Sequence, residues 1–359
     1  MPVTSRVAER YRQYEKMKRH GKLFEQITDL ENIRKAFYDA KRGKKKKNVI
    51  RRCEDNLDAV CTEIRERLIN KTFTTSPYRT MYIHVPKTRQ IFDLPFYPDR
   101  IIHRALMRVL EPIWSGLFIA DSYACLPGRG IHSGSRRTMG FVRKFKYCLK
   151  MDVRKFYPSV DHDVLFAIVQ KKIKCPDTLR LLKNIIYSVP DGKNVPIGNY
   201  TSQWMGNLYL NELDQFLKHE HHVKAYIRYC DDFLIFHDDK KYLGRIAKII
   251  EDFLASKLKL SMSKCDLFPV SRGVDFLGYR HFPDHILLRK STATRMKRRL
   301  RVLPALLAKC RITAEQYRST LASITGWLKW SNSRNLQLHL KLDTLRKAID
   351  YNGGLKTVQ

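Results

Sequence analysis

Apolar residues recur at helical spacing in the first part of the chain. Leu30, Ile33 and Phe37 form one set, and Leu57, Val60, Ile64 and Leu68 form another. Such spacing marks helices with one buried face, and it predicts a helical region over residues 1–75. The pattern then shortens. Met81–Val85 and Gln90–Phe92 read as strands divided by Pro86-Lys87-Thr88-Arg89. A helix is expected over 100–113, a strand over 146–153, and helices near 161–173 and 178–188. Pro190-Asp191-Gly192 marks a turn. A helix over 203–219 would carry Met205, Tyr209, Leu213 and Phe216 on one face. Two β-rich runs, Ala225-Tyr226-Ile227 and Phe233-Leu234-Ile235-Phe236, flank Tyr229-Cys230-Asp231-Asp232 and predict a hairpin. A helix over 239–257, a β-like segment over 274–279 and helix from about 290 onward complete the pattern. Mixed strands and helices with helical ends suggest an α+β core flanked by helical regions.

The hairpin places two adjacent carboxylates, Asp231 and Asp232, at a turn. Held together they repel, and one gains a proton unless a cation neutralises the pair. A divalent metal suits hard oxygen ligands. The strand over 146–153 delivers a third carboxylate, Asp152. If that strand pairs beside the hairpin, three carboxylates converge, a set able to hold two Mg²⁺ ions for nucleotidyl transfer. Taken alone, the same residues also fit an Asp-rich turn and an aspartate that caps a helix or pairs with a basic neighbour.

Charge narrows the choice. The 359 residues hold 69 Lys and Arg against 35 Asp and Glu, a formal net charge of +34. So large an excess repels itself without a polyanionic partner, and nucleic acid is the leading candidate. A membrane is disfavoured because no apolar stretch approaches the length of a span. The start of the chain lacks an apolar signal core, and Glu9 and Glu15 disfavour a transit peptide. The run Lys41-Arg42-Gly43-Lys44-Lys45-Lys46-Lys47 reads as a solvated loop or, given the overall charge, a phosphate contact. Eight cysteines stand singly, with no C-x-x-C pair to support zinc. Reduced thiols and a cytoplasmic protein are expected.

The ordered motifs resemble those of reverse transcriptases. Asp152 matches the metal-binding aspartate of the first palm motif, and Asp231 and Asp232 match the pair of Y-x-D-D. The resemblance implies a right-hand polymerase fold: fingers, a palm of antiparallel sheet plus helices, and a short helical thumb. It divides the chain into a basic helical N-terminal region over 1–75, fingers over 76–145, palm over 146–283, and thumb with C-terminal tail over 284–359. It implies two Mg²⁺ ions, with Mn²⁺ as a substitute, at Asp152, Val153, Asp231 and Asp232. Lys87 and Arg89 become triphosphate contacts, where the planar fork of Arg suits phosphate. Tyr157 becomes the ring under the incoming sugar that excludes a 2′-hydroxyl. Asp99-Arg100-Ile101-Ile102-His103 and Ser122–Gly130 match further fingers segments. Lys264 matches the palm lysine that protonates the leaving pyrophosphate, and Phe276, Leu277, Gly278 and Tyr279 match the primer grip. Arg295, Lys297, Arg298, Arg299 and Arg301, with no acid between them, would track the template–primer backbone.

Pro196-Ile197-Gly198-Asn199-Tyr200-Thr201-Ser202-Gln203 separates subgroups. Gly198 lets the backbone approach a ligand closely, and Ser202 can cap the helix that follows. Most of the family carries Q-G-x-x-x-S-P here. This chain has Ile197 and Gln203 instead, which resembles the reverse transcriptases of diversity-generating retroelements. That resemblance implies copying of a template-repeat RNA into cDNA with errors opposite adenines, from dNTPs, for mutagenic retrohoming. It also implies a small basic accessory protein that assembles as a pentamer. Ile197 lacks the polar contacts of Gln near the nucleotide, and selectivity built on such contacts falls when they are absent. Two alternatives stay open: an intron- or retron-type reverse transcriptase of ordinary fidelity, and a non-catalytic nucleic-acid-binding relative.

Overall fold

A computed structural model describes residues 19–44, 48–84 and 88–345. In chain order the main elements are α1 (Leu30–Lys41), α2 (Asn48–Asp55), α3 (Leu57–Ile69), β1 (Arg79–Ile83), β2 (Arg89–Asp93), α4 (Ile101–Ser115), α5 (Ile131–Lys144), β3 (Tyr147–Val153), α6 (His162–Gln170), α7 (Pro176–Ile186) and α8 (Tyr200–Gln215). There follow β4 (Tyr226–Tyr229), β5 (Asp232–His237), α9 (Lys240–Leu258), β6 (Met262–Pro269), β7 (Val274–Phe276), β8 (Tyr279–His281), β9 (Ile286–Leu288), α10 (Lys290–Ala308), α11 (Ala314–Leu328) and α12 (Arg334–His339). The chain falls into two compact units. The first takes in residues up to Gly128, Lys150–Leu234 and Gly244–Asp266, and the second takes in Arg129–Leu149, Ile235–Leu243 and the chain from Leu267.

Two helices of the first unit start where an aspartate side chain satisfies a free backbone donor. Asp29 accepts from the Asn32 N–H at the start of α1, and Asp161 accepts from Val164 N at the start of α6. Ile33 and Phe37 on α1, and Ile64 and Leu68 on α3, are buried as their spacing requires. Helix α8 is buried along almost its whole length. It begins at Tyr200, three residues before the expected start, with Asn199 at the cap. Ser202 therefore does not cap it. Its hydroxyl lies inside the first turn and donates back to the Pro196 carbonyl at 2.6 Å.

Strands β4, β5, β3 and β6 lie side by side in that order. Strand β6 carries no apolar alternation and is half-exposed to exposed throughout, so its sequence gives no strand signal. The hairpin β1–β2 is antiparallel, with Arg79 opposite Asp93 and Ile83 opposite Arg89.

In the second unit, α10 and α11 share an apolar core. Met296, Leu300 and Leu303 from α10 meet Tyr317, Leu321, Ile324 and Leu328 from α11. Thr313 and Gln316 form a reciprocal capping box at the start of α11. The segment expected as one β-like run is two strands, β7 and β8, turning at Leu277-Gly278 with φ of +55° and +83°. Phe276 pairs with Tyr279 across that turn. Two positive φ values fit the tight hairpin turn whose twist matches the strands. Among the described residues, no helix is long and apolar enough to cross a membrane. All eight cysteines are free thiols.

Candidate active site

The predicted carboxylates lie at one end of the four-stranded sheet, all three within the first unit. Strand β3 carries Asp152, and the β4–β5 hairpin carries Asp231 in its turn and Asp232 at the start of β5. The buried Val153 donates its N–H to the Asp231 carbonyl at 3.3 Å, which fixes β3 against the turn. Arg154 N donates to Ser261 O at 2.8 Å on the other side. Cys230, the first central residue of the turn, has φ +56°. Glycine is favoured there because a side chain crowds the backbone.

Asp231 and Asp232 both sense Asp152. Burial raises Asp231, with Asp152 adding to the rise and Arg89 opposing it. Burial pushes Asp232 up to about 6, against the pull of Lys150, with Asp152 and Asp231 adding to the rise. Lys150 Nζ donates to Asp232 Oδ2 at 3.3 Å, and Ser263 Oγ donates to Asp152 Oδ2 at 2.5 Å. Asp232 Oδ1 is buried without a hydrogen-bond partner. An unpaired, buried carboxylate oxygen beside two further acids is a donor set that fits a divalent cation. Among the described residues, no three His, Cys, Asp or Glu side chains are gathered around a single point. Lys150 and Ser263 engage two of the three carboxylates instead. Strand alternation puts Lys150 and Asp152 on one face, so Lys150 was legible in the sequence, whereas nothing there singles out Ser263.

Tyr157 lies beside this turn. Its ring packs against α8 at Gly206, where an added Cβ would sit 3.1 Å from both Tyr157 and Phe156. Its hydroxyl lies 3.4 Å from Cys230 Sγ. Burial, then Cys230, pushes the phenol well above its usual range.

The loop before α8 is fastened to β2. Ile197 O accepts the Phe92 N–H at 2.8 Å. Gly198 has φ +131°, and a Cβ there would stand 2.3 Å from the Phe92 carbonyl oxygen. The close approach that needs glycine here is to β2. Ile197 is half-buried and Gln203 exposed.

The remaining predicted residues fall differently. Lys87 lies outside the described residues. Arg89 is exposed at the start of β2, within electrostatic reach of Asp231. Lys264 is exposed on β6, and alternation turns it away from the face on which Ser263 meets Asp152. In the second unit, Phe276 and Tyr279 are buried and the Leu277-Gly278 turn is half-exposed. Arg295, Lys297, Arg298, Arg299 and Arg301 are exposed on α10, and Arg299 donates to the Thr320 hydroxyl of α11 at 3.2 Å.

The family model for reverse transcriptase (RNA-dependent DNA polymerase) matches residues 83–281. The chain belongs to the reverse transcriptase family. Members act on RNA templates, use dNTPs and depend on divalent metal ions. This reverse transcriptase is 27% identical to Protein YkfC of Escherichia coli over 269 residues, which cover 60% of the chain and 70% of that protein. It is 25% identical to the group II intron-encoded protein LtrA of Lactococcus lactis over 58% of the chain and 37% of LtrA. Identity to the retron Ec73 reverse transcriptase of Escherichia coli is also 25%, over 62% of the chain and 72% of that enzyme. The chain thus spans most of two relatives and little more than a third of the third.

Proposed function

We propose that this reverse transcriptase is the polymerase of a diversity-generating retroelement, copying a template-repeat RNA into adenine-mutagenised cDNA for mutagenic retrohoming in the cytoplasm. The observation that carries the polymerase reading is the placement of Asp152, Asp231 and Asp232 at the same end of one sheet, with one Asp232 oxygen buried and without a hydrogen-bond partner. The observation that favours the subgroup is Ile197, where most of the family has Gln, in a loop fastened to β2. In this reading residues 76–145 are fingers, 146–283 palm and 284–359 thumb.

Asp152, Asp231, Asp232 and the Val153 main chain would hold two Mg²⁺ ions, for which Mn²⁺ can substitute. The chemistry such ions would supply there is activation of an attacking 3′-hydroxyl and neutralisation of charge on the leaving pyrophosphate. The protein's own groups do the rest. Lys150 competes for Asp232 and keeps its charge balanced. Arg89, with Lys87, contacts the triphosphate. Tyr157, backed by Gly206, presents its ring to the sugar. The exposed cations of α10 follow the template–primer backbone, with the salt dependence such contacts bring. A small basic pentameric accessory protein is the further partner that this reading implies.

Similarity to LtrA and the retron enzyme favours a second reading, an intron- or retron-type reverse transcriptase of ordinary fidelity. Extension of a DNA primer on an RNA template, followed by sequencing of the cDNA, separates the two. Errors concentrated opposite template adenines are expected. Uniform high fidelity would leave the second reading. No extension by wild type, or equal extension after Asp231→Asn, would defeat both.

A further inference from the structure

Behind the Cys230-Asp231 turn lies a charged pair that the chemistry above does not use. Arg228 on β4 and Asp214 on α8 have no exposed side-chain surface. The guanidinium meets the carboxylate as a fork, with Nε 2.8 and 3.0 Å from its two oxygens and Nη2 2.5 Å from Oδ2. The Tyr226 hydroxyl also donates to Asp214, at 2.6 Å. Nη1 is left to reach elsewhere. It donates to Asn207 Oδ1 at 3.2 Å and to the Cys230 carbonyl at 3.1 Å. Asn207 in turn donates to the Ala124 carbonyl at 2.8 Å. The main chain of Arg228 holds the same segment, taking Asp121 O as acceptor and the Tyr123 N–H as donor, each at 3.0 Å.

Burying two charges is costly, and an apolar pair of similar volume commonly serves stability as well or better. Stability therefore gives no reason for an arginine here, whereas position does. Cys230 holds a left-handed conformation that a non-glycine residue keeps only where its surroundings enforce it. Its carbonyl belongs to the peptide unit that leads into Asp231, and Arg228 Nη1 is bonded to that carbonyl. Only a planar, multi-donor cation can pair with Asp214 and reach the turn at once.

We propose that Arg228, locked by Asp214, is a positioning residue that sets the Cys230-Asp231 turn, and with it the Asp231 carboxylate, for metal binding. The inference rests on the polymerase reading. Through Asn207 the same guanidinium ties the turn to the Asp121–Ala124 segment.

The test uses the full chain with Tyr226→Phe, Asp214→Leu and Arg228→Met combined, which replaces the polar cluster by apolar groups. Primer extension is followed against Mg²⁺ concentration, beside a thermal melt. The variant is expected to melt cooperatively, while its half-saturating Mg²⁺ rises by about 10-fold or more, the usual cost of losing a group that orients a metal ligand. Its KM for primer–template should stay unchanged. Arg228→Lys keeps the charge but not the fork, and should shift the Mg²⁺ requirement the same way. It carries the test if the triple variant does not fold. Wild-type Mg²⁺ dependence in a folded variant overturns the inference. Failure of wild type to extend at all defeats instead the polymerase reading beneath it.

Discussion

Lys150 on β3 donates to Asp232 on β5 across 3.3 Å, while the other oxygen of that carboxylate is buried without a hydrogen-bond partner. One cation half-satisfies a group that two further acids crowd. The site is thus built at the expense of stability, and a divalent ion would relieve it.

The sign of the resulting pH dependence follows from Asp232, raised in the fold to about 6 from 3.8. Between those values the folded state keeps a proton that the unfolded state has released. This group's contribution to stability therefore falls as pH rises through 4 to 6, and above that the carboxylate costs about 2–3 kcal/mol. Asp232→Asn should melt at a higher temperature than wild type at pH 7.5 in metal-free buffer. The difference should close near pH 4, and extension activity should be lost. Equal melting at pH 7.5 would show that the carboxylate carries no such strain.

How far the site was legible in the sequence depends on what each residue's role requires. The paired aspartates stood out because two β-rich runs flank them, and strand periodicity placed Asp152. Helices α1 and α3 followed from their apolar spacing. Strand β6 did not, since a half-exposed strand leaves no alternation to read, and Ser263 went unseen with it. Ser202 misled because its hydroxyl can bond a carbonyl behind it as well as a free N–H ahead, and only the position of Asn199 decides between them. Arg228 lay unnoticed in a basic chain because only its complete burial against Asp214 distinguishes it from other arginines.

Two glycines should respond oppositely to alanine. Gly198→Ala forces a Cβ onto the Phe92 carbonyl from an already left-handed backbone, and should cost about 2 kcal/mol or more. It should also detach the loop from β2 and lower extension activity. Gly140 lies inside α5 with open space around it. Gly140→Ala should stabilise by roughly 0.5–1 kcal/mol through helix propensity. Chemical denaturation of both variants checks the pair, and a stable, active Gly198→Ala protein would remove the case for that close approach.

Acid should loosen both units. Burial lowers His281 to about 4, with its ring between the Ser135 hydroxyl and the Val274 carbonyl. Burial lowers His103 in the first unit to about 4 as well. Each folded pKa lies below the unfolded value of 6.5, so the unfolded chain takes the proton first. Stability is full above pH 6.5 and lost progressively toward pH 4, by up to about 3 kcal/mol per histidine. His281→Gln should melt with a shallower pH dependence over that window than wild type. An unchanged slope would mean that His281 titrates normally.

Fidelity gives the sharpest test of the subgroup. Ile197 is held by its carbonyl to β2 while its side chain is only half-buried, so a longer polar side chain can enter without breaking the main-chain bond. Ile197→Gln introduces the amide that the resemblance implies at this position in other reverse transcriptases. A positioned amide discriminates between nucleotides because a wrong pairing leaves buried polar groups unpaired. Such a contact is worth about 1–2 kcal/mol, and misincorporation opposite template adenine should fall about 10-fold while extension persists. Sequencing of cDNA from wild type and variant measures this directly. If adenine errors were equally frequent in both, the loss of Gln would not be their cause, and the source would have to be sought in the Tyr157 wall or in the template itself.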